Sequence, residues 1–143
     1  MFSEGIHPVF LYLRMVSVIM AAFNAQAYIE AALDSVFAQT FRDFEVVVVD
    51  DASTDGTGHI LENRKDPCLR VFRNETRSGA AFSRNRAIAE ASGKYMAVLD
   101  ADDFWAPQKL EKQVEYMEKH PAAAGLGTYV YETDHTGHPV KAV

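Results

Sequence analysis

A mainly parallel, doubly wound α/β sheet with helices on both faces is the fold this sequence predicts. Two observations carry that reading. Near-continuous apolar runs of strand length alternate with segments whose apolar residues recur at helical spacing, as expected for strands buried on both faces. The unusual polar residues then gather where the apolar runs stop, at Phe23-Asn24, Asp50-Asp51 and Asp100 to Asp103. In open parallel sheets ligands bind beyond the carboxyl ends of the strands, near the topological switch point.

Taken in order, Val16 to Met20 reads as the first strand. Ile29, Leu33, Val36 and Phe37 follow at helical spacing and predict a helix from about Ala25 to Gln39. Phe44 to Val49 is the second strand, and Ser53 is placed to cap a helix through Ile60 and Leu61 to about Lys65. Leu69 to Phe72 is a short third strand. Ser78 or Gly79 opens a helix through Ile88 that stops at Ser92-Gly93. Ala97 to Leu99 is a buried strand that ends in Asp100, Asp102 and Asp103. Pro107 suits the first position of a helix reaching Lys119, whose buried stripe is Leu110, Val114 and Met117. Pro121 ends it, Ala124 to Tyr131 reads as a further strand, and Asp134-His135-Thr136-Gly137 as a hairpin turn.

Composition narrows the function. At 143 residues the chain is one domain by length, able to bury roughly two thirds of its unfolded surface. A net charge of −6 argues against nucleic-acid binding through a basic surface. Arg64, Lys65, Arg70, Arg73, Arg77, Arg84 and Arg86 supply half of the 14 cations, between the two acidic strand ends, where one or two can meet an anionic ligand. Cys68 stands alone, which excludes a disulfide framework and fits a reducing compartment. No apolar run approaches the ~20 residues of a membrane span, and residues 1–15, without signal-peptide order, read as an extension before the domain at 16–143.

Three acids at one strand end repel one another and resist burial unless a cation compensates. Hard oxygen ligands suit Mg2+ or Mn2+, with substrate phosphates completing the shell. The structural alternative has these acids capping the helix after Pro107, a role Asp103 fits well.

The ordered segments Val16 to Asn24, Gln39-Thr40-Phe41, Phe44-Glu45 through Asp50-Asp51-Ala52-Ser53-Thr54-Asp55-Gly56-Thr57, Gly79 with Arg84-Asn85, and Leu99 to Asp103 resemble the family 2 glycosyltransferases. The resemblance covers about Val16 to Val130. It implies the GT-A (Rossmann-like) fold and a metal-dependent, inverting transfer from a nucleotide-diphospho-sugar, a UDP-sugar here, to an acceptor hydroxyl. Residue by residue, it implies that Phe23 lies against the base and that Asp51 accepts from the uracil imide, with Ala21 and Asn24 beside them. It implies that Asp102 contacts Mn2+ or Mg2+ while Asp100 approaches the ribose or a metal-bound water, with Ala101 between them, and that Arg77 or Arg84 approaches phosphate. Asp50 reads as structural, holding its loop.

Three departures stand out. Ala21-Ala22-Phe23-Asn24 replaces the frequent Pro-Thr-Tyr-Asn, Ser83 replaces an alanine before the Arg-Asn pair, and Arg77 stands where asparagine is frequent. Family members also continue past the hairpin, so the chain reads as a donor-binding part truncated at its C-terminus, with the general base expected beyond Val143. The acceptor, whether a glycan, a lipid-linked sugar or a protein, is not specified. Self-association through exposed sheet surface and a cytoplasmic location, peripheral at the inner face of the cell membrane, are the further expectations. A dinucleotide fold would need Gly-x-Gly-x-x-Gly after the first strand, and a receiver domain would carry its acid pair there. An inactive nucleotide-binding or interaction module is the remaining alternative.

Overall fold

The computed structural model describes residues 14–134 and 136–142. Ten elements follow in order: β1 (Val16–Ala22), α1 (Ile29–Phe37), β2 (Phe44–Asp50), α2 (Thr57–Asn63), β3 (Leu69–Arg73), α3 (Ala80–Glu90), β4 (Tyr95–Val98), α4 (Lys109–Lys119), β5 (Tyr131–Thr133) and β6 (Pro139–Ala142). The first four strands make one sheet in the order β3-β2-β1-β4. All its pairings are parallel, with Val16 opposite Phe44 and Tyr95, and Val46 opposite Leu69. The chain thus moves outward from β1 through β2 to β3, then returns to lay β4 on the other side of β1. The switch point lies between β1 and β4, where a cleft is expected at the carboxyl ends.

Period-two alternation divides the central strands between two cores. Val18, Met20, Val46 and Val48 face Leu33 and Val36 of α1, Leu61 of α2 and Leu110 of α4. Ile19, Val47 and Val49 face Ala87 of α3. Each fully buried aliphatic side chain contributes about 1.5–3 kcal/mol. The α3 face is the thinner one: α3 packs over β1 and β2 and leaves Met96 and Val98 of β4 half-exposed.

The amino-terminal edge is tied by a buried acid. Glu45 accepts from Ser17 Oγ at 2.7 Å, from Ser92 N at 2.7 Å, from Ser92 Oγ at 2.8 Å and from Arg70 Nη1 at 3.2 Å. Burial pushes the Glu45 carboxyl up, and these donors outweigh burial and hold it below the usual glutamate range. Gly93 permits the approach of this connection to β1, because a Cβ there would stand 2.5 Å from the Ser17 backbone nitrogen.

Several boundaries differ from the sequence expectations. A turn at Ala25 to Tyr28 delays α1 to Ile29, since the amides of both Tyr28 and Ile29 donate to the Ala25 carbonyl at 2.9 Å. Ser53 does not cap α2: the helix starts at Thr57, and Ser53 Oγ accepts from Asn24 N at 3.0 Å. The strand expected over Ala124 to Tyr131 does not form. Gly125 and Gly127 weaken that run, and pairing begins only at Tyr131, where β5 and β6 form an antiparallel hairpin. Its turn includes Asp134 and Gly137 as expected, with Gly137 N donating to Asp134 O at 3.0 Å, while His135 lies outside the described residues. So do residues 1–13 of the expected extension; the carbonyls of Arg14 and Met15 accept from Lys94 N and Tyr95 N, both at 3.0 Å. Among the described residues no helix is long and apolar enough to cross a membrane.

Candidate functional site

A cleft of about 410 Å³ opens at the carboxyl ends of β1 and β4, beside the start of α3. The structure brings every candidate residue to it. Ala21, Phe23 and Asn24 come from the end of β1, Asp51 from the end of β2, Arg77 and Arg84 from the loop before α3 and α3 itself, and Asp100, Ala101 and Asp102 from the end of β4. Tyr28, Gly79 and Ala80 also line it. The sequence did not mark them as lining residues: Tyr28 falls within the expected first helix, and Gly79 entered as a helix start and as one of the resembling positions. Its φ of 91° marks the sharp entry into α3.

Among the described residues two non-glycines adopt left-handed backbone, Asn24 with φ 48° and Ala52 with φ 59°. The sheet register pairs Ala22 with Asp50, so each lies two residues past matched strand ends. Both loops therefore turn the same way at the same level, and hydrogen bonds lace them together. Thr54 N donates to Asn24 Oδ1 at 2.9 Å, Ala25 N to Thr57 Oγ1 at 2.8 Å and Gln26 N to Asp55 Oδ2 at 3.1 Å. Strain of this kind persists only where the surroundings over-determine it.

Asp50 supports the loop from below. Its Oδ1 accepts from Ser53 N at 3.0 Å, and its Oδ2 lies 3.2 Å from Arg73 Nη1. Asp51 is buried beside the cleft and gathers the loop before α3. Its Oδ1 accepts from Asn74 Nδ2 at 2.6 Å and Ser78 N at 2.8 Å, and its Oδ2 from Gly79 N at 2.8 Å. Burial raises its carboxyl, and these donors outweigh burial and hold it below the usual aspartate range, so it stays ionised at neutral pH. Oδ2 keeps a lone pair for a further donor. Ser83, the departure from alanine, is buried with its hydroxyl accepting from Asn74 Nδ2 at 2.9 Å.

The acidic turn is different. Asp100 Oδ1 forms an ion pair with Arg84 Nη2. Among the described residues, no hydrogen-bond donor reaches the carboxylates of Asp102 and Asp103. Burial pushes the Asp103 carboxyl up, and the charges of Asp102 and Asp100 push it further. The capping role expected of Asp103 is not found, because α4 begins only at Lys109 and no side chain caps it. Pro107 accordingly sits just before the Gln108 cap rather than inside the helix. The turn is held from behind instead. Trp105 N donates to Ser35 Oγ at 3.1 Å, while buried Gln39 donates to Ala106 O at 2.8 Å and accepts from Leu110 N at 3.0 Å.

No three His, Cys, Asp or Glu side chains among the described residues converge as a metal cage. The donor set still fits a magnesium-like ion, which takes one or two carboxylates and completes its shell with phosphates and water. Asp102, free of donors on the cleft wall, is the first candidate, with Asp100 beside it.

The family described as glycosyl transferase family 2 matches residues 17–142. The chain belongs to this family. As a family 2 glycosyltransferase sequence it is 36% identical over 122 residues to WfaP of Escherichia coli, a UDP-Glc:alpha-D-GlcNAc-diphosphoundecaprenol beta-1,3-glucosyltransferase, covering 85% of this chain and 49% of WfaP. Among solved structures it is similar to S. aureus TarS in complex with UDP-GlcNAc, at TM-score 0.71 and 37% identity, covering 74% of this chain and 32% of that one. It is also similar to the mannosyltransferase PcManGT of Pyrobaculum calidifontis in complex with GDP-Man and Mn2+, at TM-score 0.68 and 34% identity over 75% of this chain and 33% of that one. Both neighbours support the GT-A architecture. The chain spans about half the length of the curated relatives it matches.

Proposed function

We propose that this chain is the donor-nucleotide-binding part, over residues 16–143, of a metal-dependent glycosyltransferase that takes a UDP-sugar and transfers the sugar with inversion to an acceptor hydroxyl. One observation carries the reading: an aromatic, a buried ionised acid, two arginines and an acid that no donor among the described residues reaches share one cleft at the switch point of a family 2 chain. The UDP-GlcNAc held by TarS and the UDP-Glc in the name of WfaP support a uridine donor. The Mn2+ held by PcManGT supports a divalent ion.

In this reading Phe23 offers its face to the base, and the free lone pair of Asp51 accepts the imide N–H. Ala21, Asn24 and Ala101 shape the walls around the nucleoside. Mn2+ or Mg2+, held by Asp102 with Asp100 beside it, would supply the positive charge that stabilises a departing diphosphate. Arg84 holds Asp100 by their ion pair and, lining the same cleft, would offer its remaining donors to the phosphates. The acceptor hydroxyl attacks the sugar C1 as the C1–O bond to diphosphate breaks, and its proton passes to a general base. That base is assigned to the half of the relatives' length that this chain does not span. A lipid-linked acceptor, as in the name of WfaP, would place the reaction at a membrane surface.

Titration of the 143-residue chain with UDP, with and without Mn2+, tests the reading. Metal should tighten UDP binding at least ten-fold, and Asp102→Ala should abolish that gain while leaving the thermal melt unchanged. Equal UDP affinity for Asp102→Ala and the parent in Mn2+ would remove Asp102 from the site.

A further inference from the structure

β4 ends its sheet, and its outer edge pairs with no strand among the described residues. The inner edge is used by Tyr95 and Leu99, whose amides donate to Met15 O and Ile19 O, both at 3.0 Å. Strand bonding takes alternate residues, so the N–H and C=O groups of Met96 and Val98 face away from β1. Their side chains are exposed too, Met96 at 43% and Val98 at 52%. Ile88 extends the patch at 42%. It lies one helical turn past Arg84, which reaches Asp100 just beyond this strand. Between Lys94 and Asp100 the strand carries no charge, proline or bulge, the usual protections of an open edge.

Identical edges that meet across a twofold axis run antiparallel. With the axis at Ala97, Met96 of one copy stands opposite Val98 of the other, at both ends of the pairing. These residues carry the outward amides and carbonyls, so each such pair exchanges both N–H···O bonds. The same register sets Lys94 of each copy opposite Asp100 of the other, and no like charges meet. A slip of two residues would instead set Lys94 against Val98, or Asp100 against Met96. Lys94 and Asp100 already pair within the chain, with Glu118 and Arg84. The charges therefore select the register more than they add affinity.

We propose that the outer edge of β4 docks a second copy of this chain, joining two four-stranded sheets into one continuous sheet across a twofold axis at Ala97. Met96, Val98 and Ile88 of the two copies then form one apolar patch across the axis. Asp100 lines the cleft, so Lys94 of the second copy would stand at its rim. The proposal goes beyond the nucleotide reading and is independent of it.

Sedimentation of the 143-residue chain from about 1 to 500 µM should show reversible dimerisation. Matching thermal melts establish that each variant folds. Val98→Lys adds the kind of charge that blocks an open edge and should weaken the dimer roughly ten-fold or more. Lys94→Asp sets like charges at both ends and should also weaken it roughly ten-fold. Adding Asp100→Lys to Lys94→Asp should restore it. The axis is tested by Ala97→Cys with Cys68→Ser, since the two Ala97 Cα atoms would lie roughly 4.5 Å apart, within disulfide reach. This variant should oxidise to a covalent dimer, while Lys65→Cys in the same background should not. A chain that stays monomeric throughout would overturn the proposal and leave the edge to a different partner. A dimer that Val98→Lys leaves intact, or that Ala97→Cys does not trap, would overturn it by placing the contact elsewhere.

Discussion

The two ends of the sheet treat their acids in opposite ways. At the amino-terminal edge Glu45 is buried and receives donors from Ser17, Ser92 and Arg70. At the carboxyl-terminal edge Asp102 and Asp103 follow the end of β4 with no donor among the described residues, and Asp103 is pushed towards its neutral form. The first arrangement stabilises the fold by satisfying a charge. The second leaves Asp102 on the cleft wall without a donor among the described residues, where the proposed metal site lies. Asp51 combines both, because its carboxylate is satisfied by the chain and still borders the cleft.

The strongest way to break this contrast is Glu45→Ala. It strands the Ser17 and Ser92 donors and leaves Arg70 with Glu90 as its one remaining acid among the described residues, and urea unfolding should show a loss of about 3 kcal/mol. The pH dependence has a definite sign. A carboxyl held low in the folded state contributes above its unfolded value, and that contribution fades as pH falls through and below about 4. The parent should therefore lose stability in acid more steeply than Glu45→Ala, and parallel profiles would mean that Glu45 is not the tie described.

A smaller effect is expected at Gln39, which connects the first helix to the support of the acidic turn. Gln39→Leu keeps the volume but leaves Ala106 O and Leu110 N without their partner. The loss should be about 2 kcal/mol in the same assay. Amide hydrogen exchange should also quicken at Trp105 and Leu110; unchanged protection there would separate Gln39 from the turn.

Asp103→Asn should give the smallest change and the opposite sign. Removing a repelled charge should stabilise the fold by about 0.5 kcal/mol at pH 7, a figure discounted for its exposure to solvent. Because the folded Asp103 carboxyl is raised, its repulsion is absent below the ordinary aspartate value and appears as pH rises through the raised one. The stabilisation should vanish below pH ~4. Destabilisation at neutral pH would instead restore a capping role.

Strands and helices were legible in the sequence to the extent that burial leaves a simple pattern. Val46 to Val49 is apolar because both faces of β2 are covered, and its period could not show which residues face α3. The Ala124 to Tyr131 expectation failed for a related reason: an apolar run says nothing about a strand partner, and this one contains Gly125 and Gly127. Convergence of the strand-end residues on one rim followed from parallel topology alone. The pairing of Arg84 with Asp100 could not be read, since it depends on where α3 lies against β4. The buried place of Ser83 was hidden too, because its partner Asn74 looked like any loop asparagine.

The matched left-handed turns at Asn24 and Ala52 have a consequence for recognition. Their loops are laced to each other by the chain's own groups, so the walls they form stand ready before any guest arrives. Little of a guest's binding free energy would then go into ordering them, leaving more for discrimination among guests.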